Sequence, residues 1–232
     1  MEKNKITVDN YKLSISSSDP IVLEIDCDTK LDITVKENTH ECKLTIIGNS
    51  NYDFDIKIEK DASIIVYSLN RNNSVNVNVS LDKDSDIFYT HSVLADKDSI
   101  NSFNIDHLDD SSNSYIINSG VNRSDGKLFF MVNGKVPKNL HNIMCHQDSM
   151  IINFKNGNSK VIPNLIIDSN DIMASHSSYI GEIDEYKMFY IKSRGISEKD
   201  IERLIYKSVI LGRMQLDESE KEEFNKIINE WW

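Results

Sequence analysis

Between residue 6 and about residue 180 the chain is a long succession of short runs rich in Ile, Val, Tyr and Phe, parted by Asn, Asp, Ser and Gly, and several of those runs alternate strictly. Leu31, Ile33 and Val35 occupy every second position, as do Phe54, Ile56 and Ile58, and then Val75, Val77 and Val79. A period of two belongs to a strand that buries one face and wets the other. The runs are read at Tyr11–Ile15, Ile21–Ile25, Leu31–Val35, Lys43–Ile47, Phe54–Ile58, Ser63–Ser68, Val75–Val79, Asp86–Ser92, Ile100–Ile105, Tyr115–Asn118, Leu128–Val132, Met150–Phe154 and Leu165–Ile167. They recur about every ten residues, the spacing of a sandwich, a barrel or a β-solenoid. With eight glycines and three prolines in 232 residues, the turns must rely on Asn, Asp and Ser, which tolerate left-handed backbone and cap turns with their side chains. A parallel β-helix accounts for this pattern, because irregular coils can stack into one buried column without an exact repeat. A jelly roll or sandwich is the alternative that periodicity alone leaves open.

The length suits one such body with a small appendage. A formal net charge of −11, from 37 acidic and 26 basic residues, repels phosphate backbones and anionic lipid, so neither nucleic acid nor membrane is expected as a partner. The opening residues MEKNKITVDN carry no apolar h-region, and no stretch approaches the ~20 apolar residues of a membrane span; a cytoplasmic protein is expected. Cys27, Cys42 and Cys145 form an odd, sparse set without a CxxC pair, which argues against a disulfide framework or zinc ribbon and for a reducing compartment. No GxxxxGK[ST] pattern occurs, so no nucleotide is expected to bind this chain itself.

The pattern changes at the C-terminal end, dividing the chain into a β body (1–182) and a helical domain (183–232). From Asp184, EYKMFYIKSRG reads as a helix ending at Gly195, with Met188, Phe189, Tyr190 and Ile191 as its apolar side and Lys192 and Arg194 favourable near its C-terminus. Ser197 followed by Asp200 reads as the cap of a second helix, with Ile201, Leu204, Ile205, Val209 and Leu211 as its stripe before Gly212. A last acidic helix, Asp217–Trp232, has Asp217 as its cap.

The segment ASHSSYIGEIDEYKMFYIKSRGIS, residues 174–197, resembles a segment of the SufB/SufD family that reads approximately C-S-H-G-A-T-V-G-x-L-D-E-x-x-L-F-Y-L-x-S-R-G-I-S. His176, Gly181, Asp184, Glu185, Phe189, Tyr190, Ser193, Arg194, Gly195, Ile196 and Ser197 fall on matching positions. CHQDSMIIN (145–153) is similar to the family's Q-C-D-S-M-L-I-G strand, and IPNLIIDSNDI (162–172) to K-P-x-L-E-I-x-x-D-D-V through Pro163, Leu165, Ile167 and Asp171. The specific resemblance covers about residues 120–212, and the helical N-terminal region of larger members is absent from this sequence. The resemblance implies a right-handed parallel β-helix with a C-terminal helical subdomain. It also implies a non-catalytic scaffold for iron–sulfur cluster assembly, dimeric with itself or with a SufB/SufD paralogue. By the same resemblance its helices are expected to bind a SufC-like ABC ATPase, whose ATP-driven closure in the family moves the dimer and opens the site of a transient cluster, with 4Fe–4S as the candidate type.

Clusters are held mainly by thiolates, with imidazole as a substitute and carboxylates as more exchangeable ligands. The candidates are therefore His176, in the motif that places a histidine near the dimer seam, and Cys145, two positions before Gln147, which aligns with the cysteine of SufB-type members. Residues two apart share a strand face, so Cys145 can stand in for that cysteine; packing inside the column is the alternative. His141 shares that parity, His146 faces the other side, and Glu182 lies nearby in sequence. Ala174 and Ser177 replace a family cysteine and glutamate, so a complete site within one subunit is not expected, whereas two copies contributing Cys145 and His176 can supply four ligands. Cys27 and Cys42 are expected to be structural. The string IDHLDD, with Asp106, His107, Asp109 and Asp110, invites a metal reading against the alternative of a solvated turn. Tyr190, Arg194, Gly195, Ile196, Ser197, Ile201, Leu204 and Ile205 are the candidates for docking the ATPase, the alternative for the apolar ones being packing on the β body. A cluster-free structural subunit and, in another class, a β-helix carbohydrate-binding or lyase protein are the competing functions.

Overall fold

The structure is a computed structural model and describes residues 11–154 and 157–231. Among the described residues fourteen strands come first: β1 (Lys12–Ile15), β2 (Ile21–Ile25), β3 (Thr29–Val35), β4 (Cys42–Gly48), β5 (Tyr52–Ile58), β6 (Ser63–Arg71), β7 (Val75–Leu81), β8 (Asp86–Ala95), β9 (Ser99–His107), β10 (Asn113–Asn122), β11 (Lys127–Val136), β12 (His141–Asn153), β13 (Asn158–Ile167) and β14 (Asp171–Glu182). Three helices follow: α1 (Glu185–Lys192), α2 (Glu198–Leu211) and α3 (Glu218–Trp231). The odd strands form one seven-stranded sheet in sequence order and the even strands another. Neighbours within each sheet pair in parallel, from Lys12↔Asp32 on β1–β3 to Asn153↔Glu182 on β12–β14. Each coil thus gives one strand to each sheet, which is a parallel solenoid. The sandwich alternative requires antiparallel neighbours and is excluded.

Each of the thirteen runs read from the sequence coincides with a strand, with Tyr11 and Phe154 each one residue outside. The strand that was not read is β14, where Ser175, His176, Ser177 and Ser178 break the apolar alternation; the first halves of β12 and β13 were missed for the same reason. The coils do not share one length. On the outer face of the odd sheet Asn78 donates to Asp55, Asn104 to Asn78, Asn133 to Asn104 and Asn164 to Asn133, at 2.7–2.9 Å, across sequence steps of 23, 26, 29 and 31 residues. Register is kept while the coil widens, because the extra residues lengthen the strands, from 7 residues in β4 and β5 to 13 in β12 and 10 in β13, while the corners between them stay short.

Those corners are built as the composition requires. Asn38, Asp61, Asp84, Ser111 and Asn142 adopt positive φ, and four of them donate their backbone N–H to a carbonyl in the next coil's corner: Asn38 to Lys60, Asp61 to Lys83, Asp84 to Asp110 and Ser111 to His141. Asn and Asp enter this left-handed conformation at small cost, so glycine is not needed there.

Inside, Leu31, Ile33, Val35, Phe54, Ile56, Ile58, Val77 and Phe103 are fully buried. The C-terminal half of the column is more polar. His91 is fully buried, its Nδ1 2.8 Å from Ser68 Oγ and its Nε2 3.2 Å from Asn101 Oδ1. The helices cover part of the outer face of the even sheet. Tyr206, Val209, Ile210, Phe224, Ile228 and Trp231 share a core with Ile47, Tyr67, Leu69, Leu94 and Val121. Asp217 caps α3 through a reciprocal box, accepting from Glu220 N at 2.8 Å while its own N–H donates to Glu220 Oε2 at 2.9 Å. The expected stripe on α2 is corrected by rotation: Ile201, Tyr206, Val209 and Ile210 are the buried residues and Leu204 is exposed. The expected third helix reaches Trp232, which lies outside the described residues.

Burial depresses His91 to about 3 and His107 to about 4. An unfolded histidine titrates near 6.5, so unfolding takes up a proton at each site below that pH, and stability is lost as pH falls from 6.5 toward the folded values. Denaturant unfolding between pH 7 and 5 is expected to lose close to two protons' worth of slope, about 2.7 kcal/mol per pH unit at its steepest. A flat profile in that window rejects two buried neutral imidazoles.

Candidate functional site

The C-terminal end of the solenoid is where the family-like residues gather. β13 and β14 are the last strands of their sheets, so the outer edge of β14 carries no further strand. On β12 the inward positions are Ile143, Cys145, Gln147, Ser149 and Ile151, and the register places Ile172, Ala174, His176, Ser178 and Ile180 beside them on β14. In the coils before it such positions are buried; here His176, Ser178 and Ile180 are exposed. Ile166, Met173 and Tyr179 add exposed apolar surface on the same coil.

The candidate ligands are not brought together within one chain. His176 stands at the open end beside Gln147. Cys145 is turned inward one coil below, 2% exposed, with burial raising its thiol pKa. Its side chain and that of Gln147 fill the space left by Gly134, at 2.5 and 2.9 Å from the point where a Cβ on that glycine would sit. His146 is on the outer face, its Nδ1 2.7 Å from Ser175 Oγ and its ring 6.1 Å from that of Tyr115. His141 lies at the start of β12 with Nδ1 3.4 Å from Asp171. Glu182 shares the inward side of β14 with His176 but lies six positions along it, roughly 20 Å away at the rise of a strand. Among the described residues no three His, Cys, Asp or Glu side chains converge as metal ligands do. One chain therefore does not fit a complete cluster; His176, His141 and Glu182 are the candidates it exposes, and of these His176 lies in the family-like motif.

The metal reading of IDHLDD is corrected. His107 points into the column and is fully buried between Ser112 and Ser114. Asp106 reaches Lys135 on the outer face, at 3.7 Å, and Asp109 and Asp110 bond backbone amides in the turn. Cys42 is buried and donates to the Ser63 carbonyl, with burial raising its thiol to about 11, whereas Cys27 is exposed. An open groove on the odd sheet, about 470 Å³, is lined by Asp32, Asp55, Asp106 and Lys57. Two of its acids are engaged, Asp55 by Lys30 and Asn78 and Asp106 by Lys135.

The docking candidates separate into two groups. Gly195 takes φ +84° as the left-handed residue after α1, and Ser197 caps α2 by accepting from Asp200 N. Arg194 donates to Tyr190 Oη at 2.7 Å and lies over its ring, 4.9 Å from the centroid. Tyr190, Ile196 and Leu204 are exposed. Ile201 is buried and Ile205 packs against the helix–sheet core, which was the alternative for the apolar candidates. The sequence reading gave α1 an apolar face but did not foresee that Tyr186 and Phe189 would be 86% and 73% exposed. The missed signal is its even spread of apolar residues, which leaves no single side to bury.

Gly134→Ala is expected to destabilise the chain by about 1–3 kcal/mol through overpacking. Adding Cys145→Ala should recover a large part of that loss, a coupling read by denaturant unfolding of the two single variants and the double variant. Additive losses would mean that Cys145 does not occupy the Gly134 space.

The profile described as SUF system FeS cluster assembly, SufBD core domain, matches residues 53–209, from β5 into α2 and well upstream of the segments whose motifs were legible. The iron-sulfur cluster assembly protein SufD of Bacillus subtilis (strain 168) is 28% identical over 100 residues, 43% of this chain and 23% of that protein. The SufD of Escherichia coli (strain K12) is 40% identical over 43 residues, 18% of this chain and 10% of its own length. The aligned part thus spans less than a quarter of either relative.

Proposed function

The chain belongs to the SufB/SufD family, and from that premise we propose that it is a scaffold subunit of iron–sulfur cluster assembly. It works in the cytoplasm without a catalytic activity of its own. The observation that carries the reading is the open C-terminal coil, with His176 on a strand whose outer edge is free and exposed apolar residues around it. A second subunit, another copy or a paralogue, pairs with this end. His176 then supplies one ligand at the seam to a transient cluster, of the 4Fe–4S type, and the partner completes the set. A SufC-like ABC ATPase docks on the elbow between α1 and α2, where Tyr190, Arg194, Gly195, Ile196, Ser197 and Leu204 are exposed. No helix is long and apolar enough to cross a membrane among the described residues, and no lipid or nucleic acid enters the scheme.

A second reading within the family, a subunit that completes the complex without holding a cluster, is favoured by the separation of the ligand candidates and the inward Cys145.

Co-expression with an ABC ATPase from the same genome, followed by anaerobic reconstitution with ferrous iron and sulfide, tests both. A stable complex with a cluster chromophore is expected. Leu204→Glu should weaken complex formation at least tenfold, and His176→Ala should abolish the chromophore without releasing the ATPase. A complex without chromophore in the wild type leaves the structural subunit. Failure to retain any ATPase, or a chromophore indifferent to His176→Ala, overturns the scheme.

A further inference from the structure

The outer face of the last two even strands carries soft donor side chains that the cluster scheme does not use. In-register neighbours in a parallel sheet point to the same side, so Met144 on β12 stands beside Met173 on β14, and His146 stands beside Ser175. Met144 and His146 are two apart on one strand, on the side opposite the buried Ile143, Cys145 and Gln147. Met144 is 36% and Met173 71% exposed, so both sulfurs can be reached from solvent. Two thioethers and an imidazole therefore share one patch of sheet, about 5 Å across the strands and about 7 Å along them.

The imidazole is already held as a metal ligand is. His146 Nδ1 lies 2.7 Å from Ser175 Oγ; with that nitrogen donating to the hydroxyl, Nε2 keeps the lone pair. Met144 Sδ accepts from Tyr115 Oη at 2.9 Å, which fixes the thioether and leaves it a second lone pair. Phe88, Tyr115 and His146 follow one another in register, their rings 5.9 and 6.1 Å apart. One flank of the patch is thus an aromatic wall, which limits solvent access to it. We propose that Met144, Met173 and His146 form a surface site for a soft monovalent cation, Cu(I), with the two Sδ atoms and Nε2 as ligands and Ser175 as the positioning residue.

The donor set decides the class of ion. Thioethers select Cu(I) and give little to hard cations, and imidazole accompanies them readily. The flexible methionine side chains can converge on one point from neighbouring strands. The carboxylates that would recruit a harder ion are engaged. Asp148, two positions beyond His146 on the same face, is held by Arg213 and Ser177, and Asp171 lies 3.4 Å from His141 Nδ1. A net charge of −11 draws cations of every kind toward the chain, so selectivity rests on the sulfurs. His141 is outside the set. The register skips Asn142, which takes φ +57°, so His141 pairs with Asp171 and shares the outer face. Asp171 and Ser175 are four residues apart, however, roughly 13 Å at the rise of a strand, which is too far for both imidazoles to reach one ion.

The inference is independent of the cluster scheme, and its test contains no iron, sulfide or partner protein. The full chain carrying Cys27→Ser, which removes the exposed thiol, is titrated anaerobically with Cu(I) supplied as its acetonitrile complex, and the methionine methyl signals are followed by NMR. One equivalent is expected to bind, shifting the Met144 and Met173 signals together, while Zn(II) leaves both in place. Met173→Leu, a change at an exposed position that spares the fold, should weaken binding at least tenfold. Ser175→Ala should weaken it about tenfold or more by releasing the ring, and His141→Ala should leave it unchanged. No shift at Met144 and Met173, or a Met144 shift that saturates at the same Cu(I) concentration with and without Met173→Leu, overturns the proposal.

Discussion

In-register parallel stacking is the constraint on which everything else in this molecule depends. Each residue lies directly against the residue one coil earlier, so a choice at one position is answered along a whole column. Apolar columns satisfy this by burial, as Ile21, Leu44 and Val66 do on the even sheet. Polar columns satisfy it by handing a hydrogen bond from coil to coil, as the Asn ladder does outside. The interior column Ser68, His91, Asn118, Ser149 and Ser178 mixes the two demands. It is satisfied from Ser68 to His91 and from Asn118 to Ser149, but Asn118 Oδ1 has no protein partner. The lower, apolar coils are therefore the stable base, and polarity inside the column grows toward the end that carries the family motifs.

That gradient explains which parts of the fold were legible. Strict alternation in β3, β5 and β7 comes from columns in which every inward position is apolar, so periodicity located those strands. β14 lies in columns whose inward members are Ala174, His176 and Ser178, and the same rule missed it. The coil length was hidden for a different reason. Steps lengthening from 23 to 31 residues leave no fixed repeat to detect, although the register they preserve is continuous. Asn and Asp at the corners were readable as a class, since few other residues accept positive φ cheaply.

The site was legible in identity and illegible in orientation. The motif marked His176 and the Arg194-Gly195-Ile196-Ser197 elbow, and both stand exposed. Parity correctly placed Cys145 on the same side as Gln147. What parity could not say is that this side is the interior, because inward and outward are set by the apolar columns of distant coils and not by the local segment. His107 shows the same limit: its acidic neighbours suggested a solvated turn, whereas the pleat turned the ring inward between two serines.

The helical tail is fastened unevenly, and this bears on how the ATPase proposed above would act on the open end. α2 and α3 share a core with the even sheet, and two ion pairs tie them to it, Lys43 with Glu220 near the first coils and Arg213 with Asp148 on β12. Asp148 also accepts from Ser177 Oγ on β14 at 2.6 Å. The loop after α2 is thus joined through one carboxylate to the strand that carries His176. α1, by contrast, leaves Tyr186 and Phe189 in solvent. A partner gripping the elbow therefore meets a loosely packed lever at α1 and a rigid seat at α2, and force on that seat reaches β14 through Asp148. Packed elements of this kind shift between discrete arrangements instead of deforming smoothly, so a small displacement of α2 is best absorbed at the last coil, where β14 has a neighbour on one side only.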